Sequence, residues 1–205
     1  MSENVSKILL KVKAVSLRVE PPFRWVSGIL SPIYTDNRLL MSYTKERKII
    51  VDLFLDVIKT NKLDPDVIAG IATSGIPWAA WIADKLNLPM VYIRKAKKEH
   101  GKENLIEGKL EKGQKVVIIE DLISTGGSSL SGVKAVEQAG CEVAANLAIF
   151  SYELSEAKNN FRNVKLITLS NITTLVNAAE KENYISKTEK DEIMEWMKNP
   201  AEWRK

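Results

Sequence analysis

A run of fourteen residues carries the densest chemistry in this chain: Val116-Val117-Ile118-Ile119-Glu120-Asp121-Leu122-Ile123-Ser124-Thr125-Gly126-Gly127-Ser128-Ser129. An apolar strand runs into two carboxylates, then into a turn rich in hydroxyls and glycine, then into a helix. Free N–H groups and the positive dipole end at a helix N-terminus suit an anion, and small residues let it approach closely. Gly126 and Gly127 bare backbone amides, while Ser124, Thr125, Ser128 and Ser129 add hydroxyl donors, with Leu122 and Ile123 leading into the turn. There is no Gly-Lys-Ser/Thr at Walker spacing and no G-x-G-x-x-G. Glu120 and Asp121 repel a bare phosphate, so they are expected to face vicinal hydroxyls or Mg²⁺ on the same ligand. A phosphate at one end and a diol in the middle describe a ribose 5-phosphate.

A second strand-to-helix turn, Ala72-Thr73-Ser74-Gly75 before Pro77, offers Thr73 and Ser74 and a further set of backbone amides to another anionic group. Between the two turns lies RKAKKEHGK, residues 94–102, with Arg94, Lys95, Lys97, Lys98 and Lys102 against Glu99. Its excess equals the net charge of the whole chain, +4. The positive charge is therefore local, which fits a compact polyanion better than a nucleic acid. With the aperiodic polar stretch that follows as far as Gly113, this window reads as a mobile loop whose cations meet charge on a leaving group. A 5-phosphate, a ribose diol and a second polyanion together describe phosphoribosyl diphosphate. The matching reaction is displacement of pyrophosphate at the anomeric carbon, with Mg²⁺ as cofactor.

The elements that must hold these groups are an alternation of short apolar runs and helical patterns. A helix is expected from an N-cap at Thr44 to about Asn61, with Ile50, Val57 and their neighbours at helical spacing. Strands are expected at 67–72, 90–93, 116–119, 143–150 and 164–169, and helices at 78–86 and 129–139 with Gly140 as the C′ residue. Thr188 to Asp191 resembles a capping box that opens a last helix through Met197. The result is an α/β fold, a parallel sheet flanked by helices.

At 205 residues, with 45% hydrophobic residues and no Pro/Ser-rich linker, a single domain over 1–205 is expected, elaborated at the N-terminus by about residues 1–40. One cysteine closes no internal disulfide, and no apolar run approaches a membrane span or a secretory h-region. A reduced, cytoplasmic protein without membrane or nucleic-acid partners follows. One histidine and one cysteine exclude Ser-His-Asp, Cys-His and zinc constellations. Trp78 and Trp81, three apart on a helix, are expected to pack rather than to stack on a base, and Cys141 to be structural. Tyr34 and Arg38 lie where either packing or ligand contact is open.

The segment Ile118 to Ser128 resembles the phosphoribosyl diphosphate motif of type I phosphoribosyltransferases. Ser27-Gly28-Ile29-Leu30-Ser31-Pro32-Ile33-Tyr34-Thr35-Asp36-Asn37-Arg38, Ala72 to Pro77, and Arg94-Lys95 with Lys98, His100 and Gly101 narrow the resemblance to the orotate phosphoribosyltransferases. It implies that family's fold, with a small N-terminal hood and a mobile catalytic loop. Glu120 and Asp121 would hold the ribose hydroxyls, with Mg²⁺ near Asp121, directly or indirectly. Residues Ser124 to Ser128 would hold the 5-phosphate. Arg94, Lys95, Lys98 and His100 would contact diphosphate, with Lys98, His100 and Asp121 catalytic. Orotate would meet Ser27, Gly28 and Ser124. The resemblance also implies a homodimer in which one subunit's loop covers its partner's site, and a product, orotidine 5′-phosphate, on the route to UMP in pyrimidine biosynthesis. Val26 and Ser74 stand where the enterobacterial branch has lysines, and Ser151-Tyr152-Glu153 has no counterpart of that branch's arginine. Two alternatives remain open at this stage: transfer to another base, or a regulator that binds the sugar diphosphate without turnover.

Overall fold

The computed structural model describes residues 1–25, 28–94 and 105–204. Helix α1 (Ser2–Lys11) leads into four short strands, β1 (Val15–Leu17), β2 (Phe23–Arg24), β3 (Leu30–Ser31) and β4 (Ile33–Thr35), and a 3₁₀ turn at Asn37–Ser42. Then follow α2 (Thr44–Thr60), β5 (Val67–Ile71), α3 (Gly75–Leu86), β6 (Met90–Ile93), β7 (Ile106–Glu107), β8 (Lys115–Ile123) and α4 (Gly127–Gln138). The chain continues through β9 (Glu142–Ser151), α5 (Ser155–Asn160), β10 (Leu166–Asn171), α6 (Ile172–Lys181) and α7 (Lys187–Lys198).

The main sheet runs β10-β9-β8-β5-β6-β7, parallel except for the β6–β7 pair at its edge. Its central strands are apolar on both faces, as burial between two helix layers requires. Along β8, Val117 and Ile119 join a cluster with residues of α1, α2, α3 and α6, whereas Val116 and Ile118 join one with Val133 and Val136 of α4. The strand period of two thus sends alternate side chains to opposite layers.

The local signals explain most elements, but several boundaries differ from expectation: α3 begins three residues early at Gly75, α4 two early at Gly127, and β10 is displaced by two residues to Leu166–Asn171. Thr44 is the first helical residue of α2, with Tyr43 at the N-cap. The capping box of α7 is Ser186 with Glu189, two residues before the expected pair. Buried Ile185 just ahead of that cap, and Ile193 and Trp196 inside the helix, fix the phase. Two residues of the expected loop, Ile106 and Glu107, instead form the edge strand β7, paired with Ile93 and Tyr92, and the stretch from Gly108 to Gly113 is non-strand as expected. Residues 95–104 lie outside the described residues. Helices α1 and α6 lie outside the expected elements although both carry the helical period, Val5-Ile8-Leu9-Val12 and Ile172-Leu175-Val176-Ala179; they bury those faces against one another and β10, with Ser6 Oγ 2.7 Å from Ser170 Oγ.

The N-terminal segment is tied to the far end of the chain. Trp25 stacks on Tyr152 at 5.4 Å and meets Trp196 edge-on at 5.6 Å, and Trp196 Nε1 donates to Leu30 O. Arg204 donates to Val19 O and to the carboxylates of Glu20 and Glu192. Among the described residues, no helix is long and apolar enough to cross a membrane.

Candidate functional site

Strands β5 and β8 are neighbours and end at the same sheet edge, so the turns that follow them, 72–74 and 124–126, face each other. β8 runs four residues further than the apolar stretch suggests and carries both carboxylates within the strand. Glu120 is buried; it accepts from Asp121 N at 3.1 Å and from Ser129 Oγ at 3.4 Å. Asp121 lines the same cavity in side-chain contact with Glu120, and burial pushes its carboxyl above the usual carboxylate range, against the pull of its hydrogen bonds.

Two close approaches shape the turns. A Cβ at Gly75 would lie 2.3 Å from Ile119 O, so only glycine lets the start of α3 press on β8. Gly126, the N-cap of α4, has φ +81°, and a Cβ there would meet Phe161 Cε2 at 2.6 Å. Asn160 Nδ2 donates to Thr125 O at 2.9 Å. Asn160 and Phe161 brace this loop from 35 residues away, which is why sequence reading passed over them.

One cavity of about 280 Å³ joins these parts: Thr73 and Ser74 on one side, Glu120, Asp121 and Leu122 at the floor, and Ser124, Thr125, Gly126, Gly127 and Ser128 on the other. The structure therefore brings together ten of the residues singled out in the sequence. Ile123 turns away, packed with Ala148, Ala157 and Phe161. Gly28 sits in the β2–β3 turn with φ +86°, its carbonyl accepting from Arg24 Nη1, and does not line the cavity. Arg94 follows β6 directly; its Nη1 is buried 3.6 Å from Glu107 Oε1. Lys95, Lys98, His100 and Ser27 lie outside the described residues.

The cavity also has a wall that the motif did not announce, formed by Thr35, Asp36 and Arg38. Asn37 Nδ2 donates to Asp121 O at 2.7 Å, pinning this wall to the end of β8. Asp36 Oδ1 accepts from Arg38 Nε at 2.6 Å and Asp36 Oδ2 from Arg38 Nη2 at 2.9 Å; this bond with the guanidinium holds the Asp36 carboxyl below its ordinary value. A smaller recess of about 190 Å³, lined by Trp25, Ile29, Leu154 and Met197, shares Ser124 and Thr125 with the cavity. Trp78 and Trp81 meet edge-on at 5.2 Å, with Trp78 fully buried, and Cys141 is buried with its thiol on Glu111 O. Packing accounts for all three.

Residues 42–182 match the phosphoribosyl transferase domain. The orotate phosphoribosyltransferase of Coxiella burnetii is 49% identical over 98% of this chain and 97% of its own length. The chain belongs to the orotate phosphoribosyltransferase family. Solved structures agree with that membership. The orotate phosphoribosyltransferase from Aeropyrum pernix superposes with a TM-score of 0.76 at 30% identity, over 89% of this chain and 99% of that one. The UMP synthase of Leishmania donovani gives 0.78 at 26% identity over 95% of this chain, which spans only 42% of that longer protein. The family assignment gives the fold as the type I phosphoribosyltransferase fold. The domain match begins at residue 42, so Thr35 to Arg38 lie outside the matched residues.

Proposed function

We propose that this chain transfers the ribose 5-phosphate of 5-phosphoribosyl 1-diphosphate to orotate, giving orotidine 5′-phosphate and pyrophosphate. The observation that carries the reading is the single cavity in which a carboxylate pair lies between two amide-rich helix N-termini. On this reading Ser124 to Ser128 hold the 5-phosphate, Glu120 and Asp121 the ribose hydroxyls, and Thr73 and Ser74 one end of the diphosphate. Arg94, Lys95, Lys98 and His100 meet the rest of the diphosphate, and Ser27, Gly28 and Ser124 approach the base.

The carbon that changes partners develops positive charge as pyrophosphate leaves, so positioning and charge neutralisation matter more than a nucleophile. Fixing both phosphates at opposite ends holds the anomeric carbon between leaving group and base. Asp121 stands beside that centre and favours the cationic sugar. Among the described residues no group of three or more His, Cys, Asp and Glu is arranged as a metal cage. The pair Glu120 and Asp121 instead fits Mg²⁺ in its usual mode with phosphate substrates, one or two carboxylates completed by ligand oxygens and water. When bound there, Mg²⁺ supplies neutralisation of the diphosphate.

The chain is further proposed to act as a homodimer with loops shared between sites. Mixed Lys98→Ala and Asp121→Asn proteins, each strongly impaired alone, are then expected to regain activity on subunit exchange; exchange without recovery defeats the shared-loop reading. The reaction itself is tested by Mg²⁺-dependent pyrophosphate release with orotate, uracil, adenine and hypoxanthine offered separately. Release with orotate alone is expected. Release with another base overturns the acceptor, and binding without release makes the protein a regulator.

A further inference from the structure

We propose that Arg38 reads the carboxylate of the acceptor base, held in place by Asp36 and by the anchor at Asn37. This rests on orotate being the acceptor. Orotate differs from uracil by one carboxylate, so selectivity between them requires a group that pairs with that charge.

Arg38 is the one cationic side chain among the described residues lining the main cavity, whose other charged lining residues there, Asp36, Glu120 and Asp121, are all acidic. The adjoining recess offers no alternative: its only charged lining residue among those described is Glu156, which repels a carboxylate. The guanidinium is also prepared for the task. Asp36 occupies Nε and Nη2, which fixes the plane of the fork and leaves the N–H groups of Nη1 and the second one of Nη2 for another acceptor. Neither Nη1 nor the outer edge is engaged in a described hydrogen bond, and the side chain keeps 59% of its exposure, so a ligand can reach it.

Its location follows from the fold. Asn37 Nδ2 bonds Asp121 O, so the 3₁₀ turn carrying Arg38 is referenced to the strand that carries the ribose-binding carboxylates. A base joined to the anomeric carbon beside Asp121 therefore has Arg38 on the same wall.

The test is calorimetric binding of orotidine 5′-phosphate and of UMP, which lacks only the carboxylate, to the full chain and to Arg38→Ala and Arg38→Lys. Arg38→Ala is expected to weaken orotidine 5′-phosphate about 10- to 100-fold, the range for a lost charge-assisted hydrogen bond, while UMP changes by less than about threefold. Arg38→Lys is expected to recover part of the loss, since charge returns without the fork. Equal weakening of both nucleotides, or no change in either, overturns the assignment. If Arg38→Ala is unfolded by circular dichroism, Arg38→Gln serves with the same two outcomes. A wild-type chain that shows no preference for orotidine 5′-phosphate and no pyrophosphate release with orotate defeats the acceptor reading instead. A wild-type preference that survives in Arg38→Ala defeats only the role of Arg38.

Discussion

Asn37 donates a 2.7 Å hydrogen bond from its side-chain amide to the backbone carbonyl of Asp121, joining residues 84 positions apart. Asn37 is buried, and this is the one hydrogen bond its side chain makes among the described residues, where its Oδ1 has no partner. The bond makes the N-terminal wall and the carboxylate-bearing strand a single unit.

Asn37→Ala is therefore expected to cost about 1–2 kcal/mol of stability and to lower kcat roughly tenfold, because Asp121 loses a fixed reference. Asn37→Asp should not rescue it, since a carboxylate has no N–H to donate. Melting curves alongside steady-state kinetics check this. A lowered melting point with wild-type kcat makes Asn37 a fold anchor and nothing more.

Asp121→Asn is expected to separate activity from stability. Burial raises the Asp121 pKa, so the folded state binds its proton more tightly than the unfolded chain does. That contribution is fully present below the unfolded carboxylate value and is lost as pH rises through the folded one. At pH 7 the variant should melt higher than wild type, and the difference should disappear once the pH falls below the ordinary carboxylate range. Turnover should fall about a hundredfold. A variant with normal turnover removes Asp121 from the chemistry.

Gly126→Ala places a methyl group 2.6 Å from Phe161 Cε2 at a residue with φ +81°. Backbone strain and overpacking together are expected to cost about 2–3 kcal/mol and to raise the KM for phosphoribosyl diphosphate. Adding Phe161→Leu should relieve the contact but not the strain, so the double variant should recover only part of the stability. Complete recovery attributes the whole effect to Phe161.

Tyr152, clamped between Trp25, Phe150 and Trp196, has its phenol pushed up to about 12, chiefly by burial. Its stabilising contribution holds below pH 10, the ordinary tyrosine value, and is lost as pH rises toward 12. Over two units that is about 3 kcal/mol. Tyr152→Phe should flatten the alkaline fall in stability, measured as denaturant midpoints at pH 8 and pH 11. An unchanged slope assigns the alkaline loss to other groups.

Much of the site was legible because its residues are contiguous. Residues 116–129 pass from apolar strand through carboxylates to a glycine turn and a helix, and each step has a local cause: burial, anion chemistry and helix-end amides. The alternation of strands and helices likewise declared an α/β sheet, since period and turn residues are properties of short segments. Local rules were weaker where two readings fitted equally. Ser186/Glu189 and Thr188/Asp191 both match a capping box, and the choice fell to the pair that turns Ile193 and Trp196 inward.

What the amino-acid order determined by itself, then, was the strand-to-helix turns and the kind of ligand they accept. The tertiary structure decided which distant side chains complete the site. Asn160 and Phe161 carry no signature, and Asn37 and Arg38 stand in a segment whose sequence marks a family without fixing a role, because a single asparagine or arginine acquires meaning only from the carbonyl or cavity set opposite it. Placing Asn37 on Asp121 and Phe161 on Gly126 required closing loops over many residues, which only the summed burial of a two-layer core can sustain.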